Sequence, residues 1–249
     1  MTDAPAIPAA TLVLVRERDG GPPELLMVER AEGMAFAGGA LVFPGGRIDD
    51  ADCALGAAVA DPDGGARIAA IRETIEETGV PVSLTPMPAP AAALDLQRAL
   101  IADEGFAQLL EHSGFRLDLD ALVPFARWVP KFHATRRFDT LFFVARAPDG
   151  DWQPNPAEGE CTGAFWITAA EVLERDRGGS ARLIFPTRRN LERLARHDSF
   201  DAIVADARAH PIAPITPWVE EIGGEHYVTI ADDIGYPMVR EKLDQLWRG

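Results

Sequence analysis

The sequence predicts an α/β fold, and three observations carry that expectation. The apolar runs Thr11-Leu12-Val13-Leu14-Val15 and Glu24-Leu25-Leu26-Met27-Val28 flank the turn cluster Asp19-Gly20-Gly21-Pro22-Pro23 and read as paired strands. The stretch Arg72 to Val80 has helical spacing, with Glu73, Glu76 and Glu77 in one stripe and Ile68, Ile71, Ile75 and Thr78 opposite; Gly79 ends it as a C′ glycine. Trp166 to Leu173 reads as a strand turning into a helix capped at Thr168, with Glu171 as its capping-box partner.

The remaining elements follow in order. A loop from Ala31 to Gly39 leads to the strand Ala40-Leu41-Val42-Phe43, which breaks at Pro44 into the double glycine Gly45-Gly46. The Pro/Ala stretch from Pro86 to Ala93 reads as a loop entering a helix. The spacing of Leu94, Leu100, Ile101, Phe106, Leu109 and Leu110 then predicts two helices with a break near Gly105. Phe125 to Pro130 and Thr140 to Ala145 read as strands joined by a basic loop, Lys131 to Arg137. Beyond them a helix is expected over Asn190 to Ala209, a strand over Glu225 to Ile230 and a terminal helix over Pro237 to Trp247. The expected organisation is one domain over 1–249, with a helical insertion at about 88–122 and a C-terminal helical extension at about 187–249.

Composition bounds the function. At 249 residues and 47% hydrophobic the chain can bury a sizeable core. A formal charge of −15 argues against contact with nucleic acid backbones or anionic membranes, which reward positive charge. Cys53 and Cys161 lie far apart without ligand spacing, so neither a disulfide framework nor a zinc site is indicated. The first residues lack the pattern of a signal peptide and no segment has the length of a membrane span. A soluble protein of the reducing cytoplasm is expected; a homodimer is allowed but not specified.

Like charges at helical spacing cost stability, so the acidic stripe on Arg72–Val80 is either solvated or compensated by a cation, and magnesium or manganese would suit its hard oxygens. The double glycine permits close approach of a ligand or metal to main-chain carbonyls, although alone it would be only a turn. Lys131, His133, Arg136 and Arg137 concentrate positive charge in an acidic chain; they are either solvated loop charges or phosphate-recognising groups.

Taken together, Gly46, Asp52 and Arg72-Glu73-x-x-Glu76-Glu77-x-Gly79-Val80 resemble the Nudix box, G-x5-E-x7-R-E-U-x-E-E-x-G-U. Asp52 stands at the first acid, shortened from Glu, and Thr74 at the bulky apolar position. The departure is in length: nineteen residues separate Asp52 from Arg72 where the family has seven, the extra twelve lying in Cys53 to Gly65. The entry Leu41-Val42-Phe43-Pro44-Gly45-Gly46, the later Arg136-Arg137-Phe138-Asp139-Thr140, and Glu160 ahead of Trp166 are similar to the Nudix group that includes coenzyme A diphosphatases.

That resemblance implies an α/β/α sandwich with a mixed sheet, and hydrolysis of a diphosphate with Mg2+ or Mn2+ as cofactor. It implies metal ligation by Glu76 and Glu77, helped by Glu73, the Gly46 carbonyl and Asp52. Catalytic roles fall to Glu73 as a base, Arg72 as the holder of a box carboxylate, and Glu160 as an additional ligand or base, against the plainer reading of Glu160 as an exposed loop acid. Substrate contacts are expected from Arg30, Phe43, Lys131, Arg136 and Arg137. Coenzyme A or an acyl derivative is the implied substrate; alternatives are another nucleoside diphosphate derivative, such as a nucleotide sugar, a dinucleotide or an oxidised nucleotide, or a nucleotide-binding regulator whose box no longer catalyses. An RNA-decapping role is disfavoured by the acidic balance and the lack of a basic stripe.

Overall fold

A computed structural model describes residues 5–34, 37–59, 61–130 and 137–245. Strands β1 (Ile7–Arg16) and β2 (Glu24–Arg30) pair antiparallel across the predicted turn, Val15 opposite Leu25. β3 (Leu41–Val42) and β4 (Gly45–Arg47) lie either side of Pro44; β3 adds to β2, and β4 to β1 with Gly46 opposite Ala10. Two helices follow, α1 (Asp50–Gly56) and α2 (Gly64–Thr78). A short ribbon of β5 (Leu84–Thr85) and β6 (Arg116–Leu117) brackets α3 (Pro90–Ile101) and α4 (Phe106–Ser113), and Gly105 marks the predicted break between them.

β7 (Val123–Trp128) and β8 (Phe138–Arg146) pair antiparallel, and β8 runs parallel to β1 along nine residue pairs. β9 (Cys161–Thr168) pairs with β2 and passes into α5 (Ala169–Arg177). Both halves of the predicted capping box form there: the Glu171 amide donates to Thr168 Oγ1, and Glu171 Oε2 accepts the Thr168 amide. With β10 (Pro214–Ile215) on β7, the result is a mixed eight-stranded sheet.

Alternation along β1 builds the layers, because successive side chains point to opposite faces. Ala10, Leu12 and Leu14 join Ile68, Ile71 and Ile75 of α2 and Leu96 and Leu100 of α3 in one core. Val13 and Val15 join Val172 of α5 and, from the helices that follow it, Leu191, Leu194 and Ile203 in the other. Helices on both faces of a mixed sheet make the expected α/β/α sandwich.

The C-terminal part departs from the expectation in two places. Asn190–Ala209 is not one helix but two, α6 (Phe185–Leu194) and α7 (Phe200–Ala209), the second capped afresh by Ser199, whose Oγ accepts the Ala202 amide at 3.2 Å. The terminal helix is replaced by the three-stranded sheet of β11 (Trp218–Ile222), β12 (Glu225–Thr229) and β13 (Arg240–Lys242), followed by a single 3-10 turn at Leu243–Gln245. Pairing of Arg240, Glu241 and Lys242 with Thr229, Val228 and Tyr227 of β12, a non-local contact, outweighs the helical spacing of so short a segment. Among the described residues no helix is long and apolar enough to cross a membrane.

The added stretch Cys53 to Gly65 contributes the latter part of α1 and the first residues of α2. The two helices meet at glycines: a Cβ on Gly56 would overlap the Gly65 backbone, and a Cβ on Gly65 would stand 3.1 Å from Cys53 Cα. Gly56→Ala should therefore push α1 off α2 and cost about 1–3 kcal/mol in a denaturant melt, as over-packing does; an unchanged midpoint would show that the contact is dispensable.

Candidate active site

α2 presents the acidic stripe toward β4 and the sheet rather than to open solvent, and its neighbours pair most of the charges. Arg72 lies between them. Its Nε donates to Asp52 Oδ1 at 3.0 Å and its Nη2 to Asp52 Oδ2 at 2.9 Å, a forked pair. Its Nη1 reaches Glu73 Oε1 at 2.9 Å and Glu76 Oε2 at 3.3 Å, and Nη2 also donates to the Arg47 carbonyl at 3.2 Å. Burial opposes this guanidinium's charge, but the hydrogen bonds and charges of Asp52 and Glu73 outweigh it and raise its pKa above the ordinary value.

Asp52 takes a different place from the one expected. Both of its oxygens are engaged by Arg72 and one also accepts the Asp49 amide at 3.0 Å, so this carboxylate anchors Arg72. Nearly fully buried, it is brought there by α1 despite the lengthened spacing.

Glu77 is nearly as enclosed as Asp52, at 3% exposure. Its Oε2 accepts the Gly45 amide at 3.1 Å and its Oε1 stands 3.6 Å from Arg30 Nη1. Burial and the neighbouring Glu73 push its pKa up to about 8. Burial likewise lifts Glu73 to about 7, with Arg72 opposing and Glu76 adding to the rise; Glu76 shifts upward for the same first cause. Gly46 is a glycine for lack of room, since a Cβ there would overlap the Glu73 carboxylate.

The carboxyl end of α2 is clamped by residues that sequence reasoning passed over. Gln97 of α3, fully buried, donates from Nε2 to the carbonyls of Glu76 at 3.0 Å and Asn155 at 2.8 Å, and accepts from Asn155 Nδ2. The Asn155 and Ala157 amides donate to the carbonyls of Thr78 and Glu77. Gly79 (φ +67°) completes the end in the left-handed region, with Gln97 Oε1 only 2.7 Å from where a Cβ would stand. This clamp fixes the loop that carries Glu160, an exposed residue raising the pKa of both Glu76 and Glu77. Only a buried Gln at helical spacing hinted at the clamp, and apolar periodicity gives such a residue no weight.

A cavity of about 550 Å³ opens beside the stripe, lined by Arg30, Phe43, Gly45, Gly46, Glu73, Glu77, Arg137 and Glu160 among others. Most of the expected site residues thus share one space. Arg72 and Asp52 stand behind it, and Glu76 is not on its wall. Lys131 and Arg136, like His133, lie outside the described residues. The rest of the wall is largely apolar, from Trp128, Phe138 and Phe142 of the sheet and Ile184 to Thr187 at the start of α6. This contribution of α6 was not anticipated, since nothing in the C-terminal sequence marks it as facing a site.

Among the described residues no three His, Cys, Asp or Glu side chains are gathered as a ready metal cage; Arg72 engages Glu73 and Glu76, and Arg30 stands beside Glu77. The donor set nevertheless fits a hard cation in its chemistry. Burial and mutual repulsion hold Glu73 and Glu77 well above ordinary carboxylate pKa values, so a divalent ion among them would relieve the strain of ionising both.

No family model matches the chain. It is 27% identical over 237 residues to the acyl-coenzyme A diphosphatase NUDT19 of Gallus gallus, a match covering 72% of this chain and 62% of that protein. It is 26% identical over 209 residues to a Caenorhabditis elegans protein bearing the name nudix hydrolase 7, covering 82% of this chain and 66% of that one. The chain thus spans just under two thirds of the length of either relative. The crystal structure of a Nudix hydrolase from Alicyclobacillus acidocaldarius superposes with a TM-score of 0.70 at 28% identity, over 81% of this chain and 96% of that one. The box residues on α2, the sandwich and this superposition agree, and the chain belongs to the Nudix hydrolase superfamily.

Proposed function

We propose that the protein is a metal-dependent pyrophosphohydrolase that cuts the diphosphate linkage of a nucleoside diphosphate derivative, with coenzyme A or an acyl-coenzyme A as its substrate. The observation that carries this is the convergence of Glu73, Glu77, Glu160, Gly46, Arg30 and Arg137 on one cavity. The coenzyme A assignment is supported by the likeness to the Gallus gallus diphosphatase.

Glu73, Glu76 and Glu77, with the Gly46 carbonyl, would hold Mg2+ or Mn2+. When bound, the ion supplies charge neutralisation of the diphosphate oxygens and activation of water. The protein groups have their own tasks. Glu73, raised toward neutral pH by burial, is suited to accept the proton of the attacking water, and Glu160 is the second candidate on the same wall. Arg72, anchored on Asp52, positions Glu73 and Glu76. Arg30 has a buried Nε without an acceptor among the described residues, a donor suited to a phosphate oxygen.

Other nucleoside diphosphate derivatives remain the second substrate class, since an apolar wall also accepts nucleotide sugars and dinucleotides. One assay separates these readings: the pure protein with Mg2+ or Mn2+ and a panel of coenzyme A, acyl-coenzyme A, nucleotide sugars, dinucleotides and nucleoside triphosphates. Coenzyme A is expected to yield phosphopantetheine and adenosine 3′,5′-bisphosphate. Binding without turnover of any member would instead make the protein a regulator. Arg137→Ala should raise KM for the preferred substrate by about tenfold, the loss of one charge-assisted hydrogen bond; an unchanged KM removes Arg137 from substrate recognition.

A further inference from the structure

The wall of the cavity formed by α6 carries no acid. Ile184, Phe185, Pro186 and Thr187 line it, and they are the N-cap and first turn of a ten-residue helix. The first amides of a helix have no partner within it and form its positive end. Among the described residues no side chain caps them: the N-cap is Ile184, which cannot, and Pro186 has no N–H to offer. The Phe185 and Thr187 amides are left as the donors of this turn, while the Arg188 amide closes onto the Ile184 carbonyl at 3.0 Å.

A second observation is independent of the helix end. Thr187 is 3% exposed, its residue lines the cavity, and its hydroxyl has no hydrogen-bond partner among the described residues. Threonines in helices commonly bond back to a carbonyl one turn earlier, as Thr74 does to Ala70 at 2.7 Å. Thr187 does not.

The turn is also held in place from behind. Trp128 packs edge-on against Phe185 with ring centroids 5.9 Å apart, and its Nε1 donates to Asn190 Oδ1 at 3.3 Å. The Tyr236 hydroxyl donates to the same oxygen at 2.7 Å, and Arg193, almost wholly buried, ties α6 to the Phe125 carbonyl and to Asp206. A network anchoring both the helix and the aromatic floor preorganises the end of α6 toward the cavity.

We infer that the first turn of α6 is an oxyanion subsite, in which the Thr187 hydroxyl and the Phe185 and Thr187 amides bind a phosphate monoester carried by the substrate away from the bond that is cut. This rests on the proposed diphosphatase reading and narrows it. The carboxylate wall takes the diphosphate with its cation, the aromatic floor of Trp128, Phe138 and Phe142 takes the apolar middle, and α6 takes a second phosphate. Coenzyme A carries such a group on its ribose, whereas nucleotide sugars and simple dinucleotides do not.

The experiment compares two ligands by titration calorimetry, adenosine 3′,5′-bisphosphate and AMP, which differ only in the second phosphate, on wild type, Thr187→Val and Thr187→Ser. Wild type is expected to bind the bisphosphate at least tenfold more tightly. Thr187→Val should shrink that ratio by about fivefold or more, and Thr187→Ser should keep it. Because the ratio is taken within each variant, a general disturbance of the fold cancels. Equal affinities in wild type, or a ratio that survives Thr187→Val, would overturn the inference, as would a ratio that collapses only in Arg137→Ala. Turnover of coenzyme A is read separately. Turnover without a phosphate-dependent ratio defeats this subsite alone, and a ratio without turnover defeats the diphosphatase reading alone.

Discussion

Glu77→Gln should lower kcat/KM by about 100-fold or more while the protein remains folded, because it removes a charged oxygen ligand where several kcal/mol of charge stabilisation are concentrated. Gln keeps the shape and still accepts the Gly45 amide, so the loss is electrostatic. The same variant has a signature that needs no substrate. In the metal-free wild type, burial first and Glu73 second push the Glu77 pKa from 4.5 up to about 8, and burial pushes Glu73 to about 7. The folded chain thus keeps protons that the unfolded chain releases, and unfolding releases them. Stability is greatest below about pH 4.5, declines as pH rises, and the contribution is gone above about pH 8. The melting temperature of metal-free protein should accordingly fall by several degrees between about pH 5 and pH 8.5, and Mg2+ should raise it most at the alkaline end. Glu77→Gln should flatten both trends. A wild-type melting temperature that climbs across this window, or a full Mg2+ response in the variant, would remove Glu77 from the cation site.

Arg72→Met should be the most destabilising change at the site, by about 3–5 kcal/mol in a denaturant melt, because it strands a buried partner. Asp52 is 2% exposed and gives both oxygens to this guanidinium, and Glu73 and Glu76 lose the same counter-charge. Asp52→Asn alone should be costly as well, since it leaves the guanidinium short of a charge. The double variant Asp52→Asn/Arg72→Met should lose clearly less than the two single losses added, the mark of a direct pair. Simple additivity would mean that the two side chains act separately and that the fork has no energetic role.

Much of this was legible from residue order, for identifiable reasons. The core strands and α2 have strong periodicities, and the capping box of α5 and the break at Gly105 rest on chemistry that acts within a few residues. The box acids could be located because Glu73, Glu76 and Glu77 recur at helical spacing within five residues of Arg72. What failed was non-local. The division between α6 and α7 depends on Ser199 capping a new helix, and β13 forms because β12 is there to pair with it. Asp52 could be placed near the box but not assigned to Arg72, since that contact closes across α1. The contribution of Gln97, Asn155 and Thr187 was invisible, because a polar residue in an otherwise ordinary helix or loop shows its partners, or its lack of them, only in three dimensions.

The glycine contact between α1 and α2 bears on how such a chain can be found at all. Lengthening the connection from seven to nineteen residues costs only roughly 1 kcal/mol of closure entropy, and the helices that meet at Gly56 and Gly65 recover order within the added segment. In three dimensions the acid has not moved away from its arginine. A pattern that counts residues between them registers a large displacement. Distance along the chain and distance through space have come apart here, and only the second bears on the chemistry.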